Sequence, residues 1–236
     1  MLFGKDHARI YDLVYSGRGK DYASEAKELA ALVRARKPGA ATLLDVACGT
    51  GEHLASLREL FAHVEGADLA PAMVDVARSK LPGVTVHLAD MSDFALGRTY
   101  DVVTCLYSGI AYLQAPQLAS AVSCMAAHLA PGGVLVVEPW WLPEKATEGQ
   151  VVGDVIRDDS TVIARVSHGR QRDGAHHLQC HFLVADEDGI RHFTDTQVLH
   201  FFPRELYLDA FTRAGLTVDY LDGGPSGRGL YVGIKP

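Results

Sequence analysis

A glycine-rich turn at the end of an aliphatic run is the segment of the sequence best suited to binding a small ligand. The run Leu43-Leu44-Asp45-Val46 leads into Ala47-Cys48-Gly49-Thr50-Gly51. Glycine lets the backbone turn sharply and lets a ligand approach the main chain. A helix is predicted to follow, and its first N–H groups would point at that ligand. The turn alone indicates a nucleoside-bearing ligand, but any tight strand-to-helix connection has similar residues.

An acidic residue, Asp68, ends the next apolar run. A carboxylate at this point of an α/β fold accepts hydrogen bonds from both ribose hydroxyls of a nucleoside. The position suits NAD and S-adenosylmethionine (SAM) equally, and it also suits a surface residue that caps the next helix. His53-Leu54 stands where a dinucleotide fingerprint would carry its third glycine. The choice between the two cofactors therefore depends on later residues.

Asp90-Met91 follows the third apolar run and separates the two cofactors. A carboxylate there can take the adenine amino group, and the methionine can pack on the ring. The fourth run ends in Cys105-Leu106-Tyr107-Ser108, and His128-Leu129-Ala130-Pro131-Gly132-Gly133 precedes the fifth. In this order and spacing the motifs resemble class I SAM-dependent methyltransferases. The resemblance favours SAM over NAD as the cofactor.

The elements that must position these residues alternate between strand and helix. Apolar runs at 42–47, 64–67, 84–88, 101–106 and 133–138 alternate with helical stretches at about 52–61, 71–80 and 116–129. Two further helices are predicted within residues 8–36. This alternation predicts an α/β fold, a Rossmann-like parallel sheet with helices on both faces.

The pattern changes between about residues 150 and 202. Period-two runs at 161–167, 177–185 and 192–202 are separated by the turn signals Gln171-Arg172-Asp173-Gly174 and Asp186-Glu187-Asp188-Gly189. They predict an antiparallel β meander inserted in the α/β domain. A helix to about residue 214 and strands at 217–221 and 229–234 are predicted to follow.

Bulk composition limits the class of protein. The 236 residues, 48% of them hydrophobic, suit one folded domain over 1–236 with 150–202 as the insert. A formal net charge of −7 argues against a nucleic-acid binder, which needs a basic surface. No apolar run reaches the ~20 residues of a membrane span. The four cysteines are dispersed, as in proteins of a reducing compartment, so we expect a cytoplasmic protein.

Longer stretches of the chain resemble one family, the TDP-amino-sugar N,N-dimethyltransferases of antibiotic biosynthesis. Residues 17–22, 44–51, 136–141 and 223–229 carry the resemblance, which extends over nearly the whole chain. It implies SAM-dependent N-methylation of a nucleotide-linked (TDP) amino-deoxysugar, a small-molecule acceptor, by a homodimer.

The same resemblance implies roles for individual residues. On the SAM side it implies, together with the glycine turn, Tyr11, Ala47, Gly49, Gly51, Asp68, Leu69, Asp90, Met91 and Leu106. On the side of the sugar nucleotide it implies Phe3, Tyr22, Trp141, Ser167 and Arg228. A guanidinium grips phosphate oxygens bidentately, so Arg228 suits a diphosphate. Of the adjacent Trp140 and Trp141, we expect only one to face the pocket, and we favour Trp141.

Two positions depart from the family's pattern. Phe3 stands where the family often has tyrosine, and Tyr112 where it often has histidine. Both are expected near the reaction centre, so the acceptor's identity and the number of methyl groups stay open. We expect Tyr112 and Tyr11 to be the catalytic side chains, Tyr112 by orienting the amine and Tyr11 by stabilising a cation through its ring. A tyrosine with its ordinary pKa near 10 is a poor base at neutral pH.

A cluster of zinc-type residues, His176, His177, Cys180 and His181, lies in a predicted strand. Period two places 177 and 181 on one face and 176 and 180 on the other, so we expect no metal site.

Three alternative functions stay open at this stage. They are a methyltransferase of another secondary metabolite, a non-catalytic SAM-binding protein, and an NAD-dependent oxidoreductase.

Overall fold

Seven strands form the central sheet of the protein. The computed structural model describes residues 3–147 and 149–236. The strands are β1 (Thr42–Val46), β2 (His63–Asp68), β3 (Thr85–Leu88), β4 (Tyr100–Cys105), β5 (Leu129–Val137), β10 (Thr217–Leu221) and β11 (Leu230–Ile234). Their order is β10-β11-β5-β4-β1-β2-β3, and only β11 runs against its neighbours. The predicted α/β fold with a Rossmann-like sheet is confirmed.

Helices cover both faces of this sheet because successive strand residues point to opposite sides. The helices are α1 (Lys5–Gly17), α2 (Tyr22–Arg34), α3 (Glu52–Leu57), α4 (Pro71–Lys80), α5 (Ala115–Ala127) and α6 (Arg204–Arg213). Leu44 and Val46 of β1 pack with α5 and α6, whereas Leu43 packs with α2, α3 and α4. Short 3₁₀ helices occupy Gly109–Tyr112 and Pro143–Lys145.

A second sheet of four antiparallel strands is inserted between β5 and α6. It consists, in chain order, of β6 (Val151–Arg157), β7 (Val162–Arg172), β8 (Ala175–Asp186) and β9 (Gly189–His200). Asp173 and Gly174 both have positive φ, 51° and 73°, as a tight hairpin turn requires. The inner face packs against α1, where Ile10 and Val14 meet Phe182. Helix α1 therefore lies between the two sheets.

The antiparallel insert is confirmed, but it has one strand more than the three predicted. Strand β6 lacks a readable alternation because its outward Val151 and Val155 are exposed while its inward Asp154 is half-buried. Asp154 faces inward because it forms an ion pair with Arg165 of β7, with N and O 3.1 Å apart. In the described part of the chain, no helix has the length and apolar character needed to cross a bilayer.

Candidate active site

The central sheet opens into a crevice where its strand order changes direction. Strand β1 lies between β2 and β4, so the connections after β1 and β4 leave in opposite directions. In α/β sheets ligands bind at such a point, beyond the carboxyl ends of the strands. A cavity of about 940 Å³ begins here and extends to the second sheet. This volume is near the upper limit for the site of one small ligand, so it suits two ligands side by side.

The loop after β1 is shaped by left-handed backbone conformations. Ala47, Gly49 and Gly51 have φ of 57°, 56° and 81°. Gly51 precedes α3, and a Cβ there would lie 2.8 Å from Leu81 Cδ1. Its missing side chain thus allows close packing beside α4, while Ala47 and Gly49 line the cavity.

Asp68, at the end of β2, is held in place by backbone N–H groups. One carboxylate oxygen accepts from Gly49 N and the other from Ala70 N, both at 2.8 Å. Burial is the main influence on this carboxyl and raises its pKa, although the backbone hydrogen bonds oppose that shift. Asp68 lines the cavity beside the glycine loop. The remaining lone pairs of its oxygens can accept hydrogen bonds from the hydroxyl groups of a ribose.

Asp90 lies just after the carboxyl end of β3, the strand next to β2 in the sheet. Its Oδ1 accepts from Ser92 N at 2.8 Å and Ser92 Oγ at 2.7 Å, which fixes the carboxylate in a tight turn after β3. Met91 and Leu106 line the same part of the cavity, and Leu69 adds an exposed apolar side chain. This end of the cavity thus offers one carboxylate toward a ribose, a second toward an adenine amino group, and apolar contacts for a ring.

Aromatic side chains surround the middle of the cavity. Tyr11 lies 4.5 Å from Tyr15 between ring centroids, and Phe3 lies 5.9 Å from Tyr11 and 5.6 Å from Tyr112. Tyr15 and Tyr107 meet edge to face at 5.3 Å. Burial raises the pKa of Tyr11 and of Tyr112 well above the ordinary value. These hydroxyls therefore stay protonated at neutral pH, and neither is a base.

A half-buried arginine, with 12% of its side chain exposed, marks the far end of the cavity. Arg228 donates from Nη1 to Ser108 Oγ at 3.0 Å and lies 3.7 Å from Glu138 Oε1. Its guanidinium carbon lies 4.6 Å from the ring centre of Trp140 and 5.6 Å from that of Trp141. Among the described residues, Arg228 Nε and Trp140 Nε1 are buried and have no hydrogen-bond partner. Each of these two N–H donors thus lacks an acceptor from the described part of the protein.

The second sheet supplies the wall opposite the central sheet. Ser167, Arg165, His176 and Gln197 line the cavity from its inner face. Arg165 is buried and shares Asp154 with Arg18, whose Nε lies 3.2 Å from the same oxygen. Because two guanidinium groups share one carboxylate, this side adds net positive charge to the lining of the cavity.

The cavity brings together thirteen of the residues that the sequence singles out. These are Phe3, Tyr11, Ala47, Gly49, Asp68, Leu69, Asp90, Met91, Leu106, Tyr112, Trp141, Ser167 and Arg228. Gly51 and Tyr22 are not part of the lining. The Tyr22 ring packs edge to face on His53, and its hydroxyl is buried without a partner in the described part of the chain. Both Trp140 and Trp141 line the cavity, because β5 ends at Val137 and strand alternation no longer applies.

Several site residues were missed by the sequence analysis. Lys20 lies 3.8 Å from the ring centre of Tyr107, and Glu138 accepts Tyr107 N–H at 2.7 Å. Gln197 lines the cavity from β9, where the strand prediction was correct but gave no sign of a polar inward position. Lys20 and Glu138 could have been found from the sequence, because they lie inside segments 17–22 and 136–141, which carry the family resemblance. Gln197 lies outside these segments.

No metal centre is apparent within residues 3–147 and 149–236, where no three His, Cys, Asp or Glu side chains are grouped to hold an ion. His176 and Cys180 face inward, whereas His181 is on the exposed face of β8. Burial and the neighbouring His177 lower the pKa of His176.

The fold and the two carboxylates at the nucleoside end define a class I SAM-dependent methyltransferase. Residues 43–133 match a methyltransferase domain family. A dTDP-3-amino-3,4,6-trideoxy-alpha-D-glucopyranose N,N-dimethyltransferase from Streptomyces venezuelae is 49% identical and covers 99% of both chains. A dTDP-4-amino-2,3,4,6-tetradeoxy-D-glucose N,N-dimethyltransferase from Saccharopolyspora spinosa is 44% identical over 99% of this chain and 94% of its own.

A solved structure agrees with these relatives. SAM-bound CalS10, an amino pentose methyltransferase from Micromonospora echinaspora involved in calicheamicin biosynthesis, is 44% identical with a TM-score of 0.88. The match covers 100% of this chain and 98% of that chain. The chain belongs to the TDP-amino-deoxysugar N,N-dimethyltransferase family. The predicted family, methyltransferase activity and SAM cofactor are confirmed.

Proposed function

We propose that this enzyme transfers methyl groups from SAM to the amino group of a TDP-linked amino-deoxysugar in antibiotic biosynthesis. The observation that carries the proposal is the pair of buried donors, Arg228 Nε and Trp140 Nε1, without an acceptor among the described residues. Buried donors are nearly always paired, so a ligand rich in acceptor oxygens fits this end. A diphosphate has that chemistry, and a guanidinium binds it well.

The opposite end fits the cofactor. Asp68 is oriented by Gly49 N and Ala70 N toward the ribose position, and Asp90 stands beside Met91 for the adenine. SAM, when bound, supplies an activated methyl group on a sulfonium. The protein's part is to bring the amine in line and to keep water out.

The aromatic middle of the cavity suits a reaction between an amine and a cation. The ring faces of Tyr11, Tyr15 and Tyr107 can stabilise a positively charged group. A carboxylate in the same place would form an ion pair with that group and hold it too strongly. Since the hydroxyls of Tyr11 and Tyr112 stay protonated, neither of them takes the extra proton from an ammonium group. Positioning and desolvation then account for catalysis.

The position of the amine on the sugar is left open by the relatives. The enzyme from Streptomyces venezuelae is named for a 3-amino sugar and that from Saccharopolyspora spinosa for a 4-amino sugar. Phe3 and Tyr112, which lie 5.6 Å apart between ring centroids, line the part of the cavity between the two ends. They are the side chains expected to discriminate between the two amine positions.

A mass-spectrometric assay tests the proposal. Purified enzyme and SAM are offered TDP-3-amino and TDP-4-amino sugars and the matching free amino sugars. We expect one or two added methyl groups on a nucleotide-linked sugar and little transfer to the free sugar. Methylation of free amines alone would favour a methyltransferase of another metabolite. No transfer to any amine, with SAM still bound, would favour a non-catalytic SAM-binding protein.

A substitution at Arg228 adds a site-specific test. Arg228→Met should raise the KM for the TDP-sugar about 100-fold, since a charge-assisted contact is worth ~3 kcal/mol, and should leave the Kd for SAM unchanged. Arg213→Met, at an exposed arginine on α6, removes the same charge as a matched control. An unchanged KM in Arg228→Met would place the diphosphate elsewhere.

We also propose a homodimer, formed through the outer face of the second sheet. Val155, Val166 and Leu183 are 62%, 57% and 48% exposed on that face. Val166 pairs with His181, which stacks on His192, and no Asp, Glu, Lys or Arg is among these five residues to oppose a second copy. Light scattering should give twice the chain mass, and Val166→Lys should give the monomer.

Free Cys48, Cys105, Cys124 and Cys180 support a cytoplasmic location.

A further inference from the structure

A chain of polar side chains links the aromatic middle of the cavity to α1. The Tyr112 hydroxyl and Gln197 Oε1 lie 3.2 Å apart. Gln197 Nε2 and Asp195 Oδ2 are 2.9 Å apart, and His7 Nδ1 lies 2.9 Å from the same oxygen. Gln197 and His7 are buried at 4% and 3% exposure. Three elements, the 3₁₀ helix after β4, strand β9 and helix α1, thus meet through four side chains.

The direction of each hydrogen bond follows from the charge on Asp195. Burial opposes its ionisation, but hydrogen bonds from His7 and Gln197 outweigh burial and hold the pKa of Asp195 below its ordinary value. An ionised carboxylate accepts and cannot donate. Both His7 Nδ1 and the Gln197 amide nitrogen must therefore be donors toward it.

That orientation of Gln197 determines what the Tyr112 hydroxyl can do. With its NH₂ group toward Asp195, Gln197 presents its carbonyl oxygen to Tyr112. The single hydroxyl proton of Tyr112 must be donated to that oxygen. The lone pairs of the Tyr112 oxygen are left for other partners, and they can only accept.

We propose, building on the N-methyltransferase function above, that Gln197 and Asp195 are positioning residues that make the Tyr112 hydroxyl an acceptor for the N–H of the reacting amine. An amine held by its N–H keeps its lone pair free to attack the methyl group. A hydroxyl that donated would instead bind that lone pair and slow the reaction. Primary and monomethylated amines both have an N–H, so the contact serves two rounds of transfer.

A double-mutant cycle tests the coupling. Tyr112→Phe removes the acceptor, and Gln197→Leu frees the Tyr112 proton to turn toward the amine. Each should lower kcat about tenfold, the value of one hydrogen bond, with the Kd for SAM unchanged. Because Gln197 acts through Tyr112, the double variant should be no slower than Tyr112→Phe alone. Multiplying effects, near 100-fold, would overturn the proposal.

Gln179→Leu is the matched control, because Gln179 lies on the exposed face of β8 in the same sheet. It should keep the wild-type kcat. If Gln179→Leu lowered kcat as much as Gln197→Leu does, the effect of Gln197→Leu would be explained by a loss of sheet stability. Asp195→Asn should also lower kcat, because an amide at 195 no longer dictates the orientation of Gln197. That loss should disappear in the Tyr112→Phe background.

The orientation itself is measured without an acceptor substrate. In ¹⁵N NMR spectra of the enzyme with S-adenosylhomocysteine, the Gln197 side-chain amide is identified by its absence in Gln197→Leu. One of its protons should be shifted downfield, should move in Asp195→Asn and should stay in Tyr112→Phe. A Gln197 amide that responds to Tyr112→Phe and not to Asp195→Asn would reverse the orientation and overturn the proposal. Wild-type enzyme that methylates no amine would instead refute the proposed function.

Discussion

Gly49 donates its backbone N–H to the Asp68 carboxylate at 2.8 Å, which joins the glycine turn after β1 to the acidic end of β2. The two sequence motifs are therefore one structural unit and not two independent binding elements. Ala70 N holds the other oxygen of Asp68 at the same distance. The backbone thus holds the carboxylate in one orientation, which reduces the entropy that a ligand would lose on binding to it.

Replacement of Asp68 by asparagine should weaken SAM binding about as much as replacement by alanine. Both oxygens of Asp68 accept backbone N–H groups, so the asparagine NH₂ must face one of these donors. We expect a Kd for SAM about 100-fold higher in Asp68→Asn, because hydrogen bonds to a charged group are worth 1.5–3 kcal/mol. Isothermal titration calorimetry measures the change.

The control is Asp75→Asn, which removes the same charge from an exposed position on α4. It should bind SAM as the wild type does. A Kd for Asp68→Asn within a factor of three of wild type would mean that the ribose contacts come from other groups.

The fold, and the grouping of the glycine turn with Asp68 at one edge of the sheet, were predictable because they depend on local patterns. Strand runs, the glycine turn and Asp68 follow one another along the chain in the alternating order that is typical of an α/β sheet. Tyr112 was also recognised, from its departure from the family's pattern. These features are readable because each depends on residues close in sequence.

The polar partners across the cavity could not be read in this way. Gln197 meets Tyr112 only because β9 is brought against the 3₁₀ helix after β4, and His7 meets Asp195 only because α1 lies between the two sheets. A period-two pattern shows which residues share a face, but it does not show what that face meets. Strand β6 was missed for the related reason that Asp154 faces inward toward Arg165.

Gly109 should not tolerate a side chain, because it lies against Ala47 in the loop after β1. A Cβ at Gly109 would be 2.6 Å from the Cβ of Ala47, which lines the cavity. Gly109→Ala should push the loop away and destabilise the protein by ~1–3 kcal/mol, the usual cost of overpacking. We expect a lower Tm and a Kd for SAM raised about tenfold or more. Gly39→Ala, where a Cβ meets nothing within 4 Å, should change neither.

Asp45 should lower the stability of the protein at pH values above about 6. Burial raises its pKa to about 6, although Thr104 Oγ1 donates to it at 2.7 Å. A carboxyl whose pKa is higher in the folded than in the unfolded state favours folding when protonated, and this benefit is lost as pH rises through about 6. Asp45→Asn should therefore be more stable than wild type by up to ~3 kcal/mol at pH 8 and by about half of that at pH 5.

Urea unfolding without SAM at pH 5, 6.5 and 8 measures this difference. Asp75→Asn again serves as the control, because an exposed carboxylate has no such penalty to remove. An Asp45→Asn protein that is no more stable than wild type at pH 8 would show that the charge is compensated in the folded state.

Glu65 should show the opposite dependence on pH. It is buried on β2, and burial opposes its ionisation, but hydrogen bonds from His63, His87 and Tyr100 and the charge of Arg98 lower its pKa to about 2. The lowered pKa stabilises the folded state at pH values above the ordinary pKa of a glutamate. This stabilisation is lost as the pH falls toward about 2.

Glu65→Gln should therefore be less stable than wild type by ~3 kcal/mol at pH 7, and the difference should shrink below about pH 5 as the unfolded carboxyl takes up a proton. Glu59→Gln, at a side chain with 76% exposure, should have no effect at either pH. The measurement is the free energy of unfolding in urea from pH 7 to pH 3, where about half of the difference should remain. A loss that stayed constant over this range would indicate that Glu65 acts through its shape and hydrogen bonds, and that its charge contributes nothing.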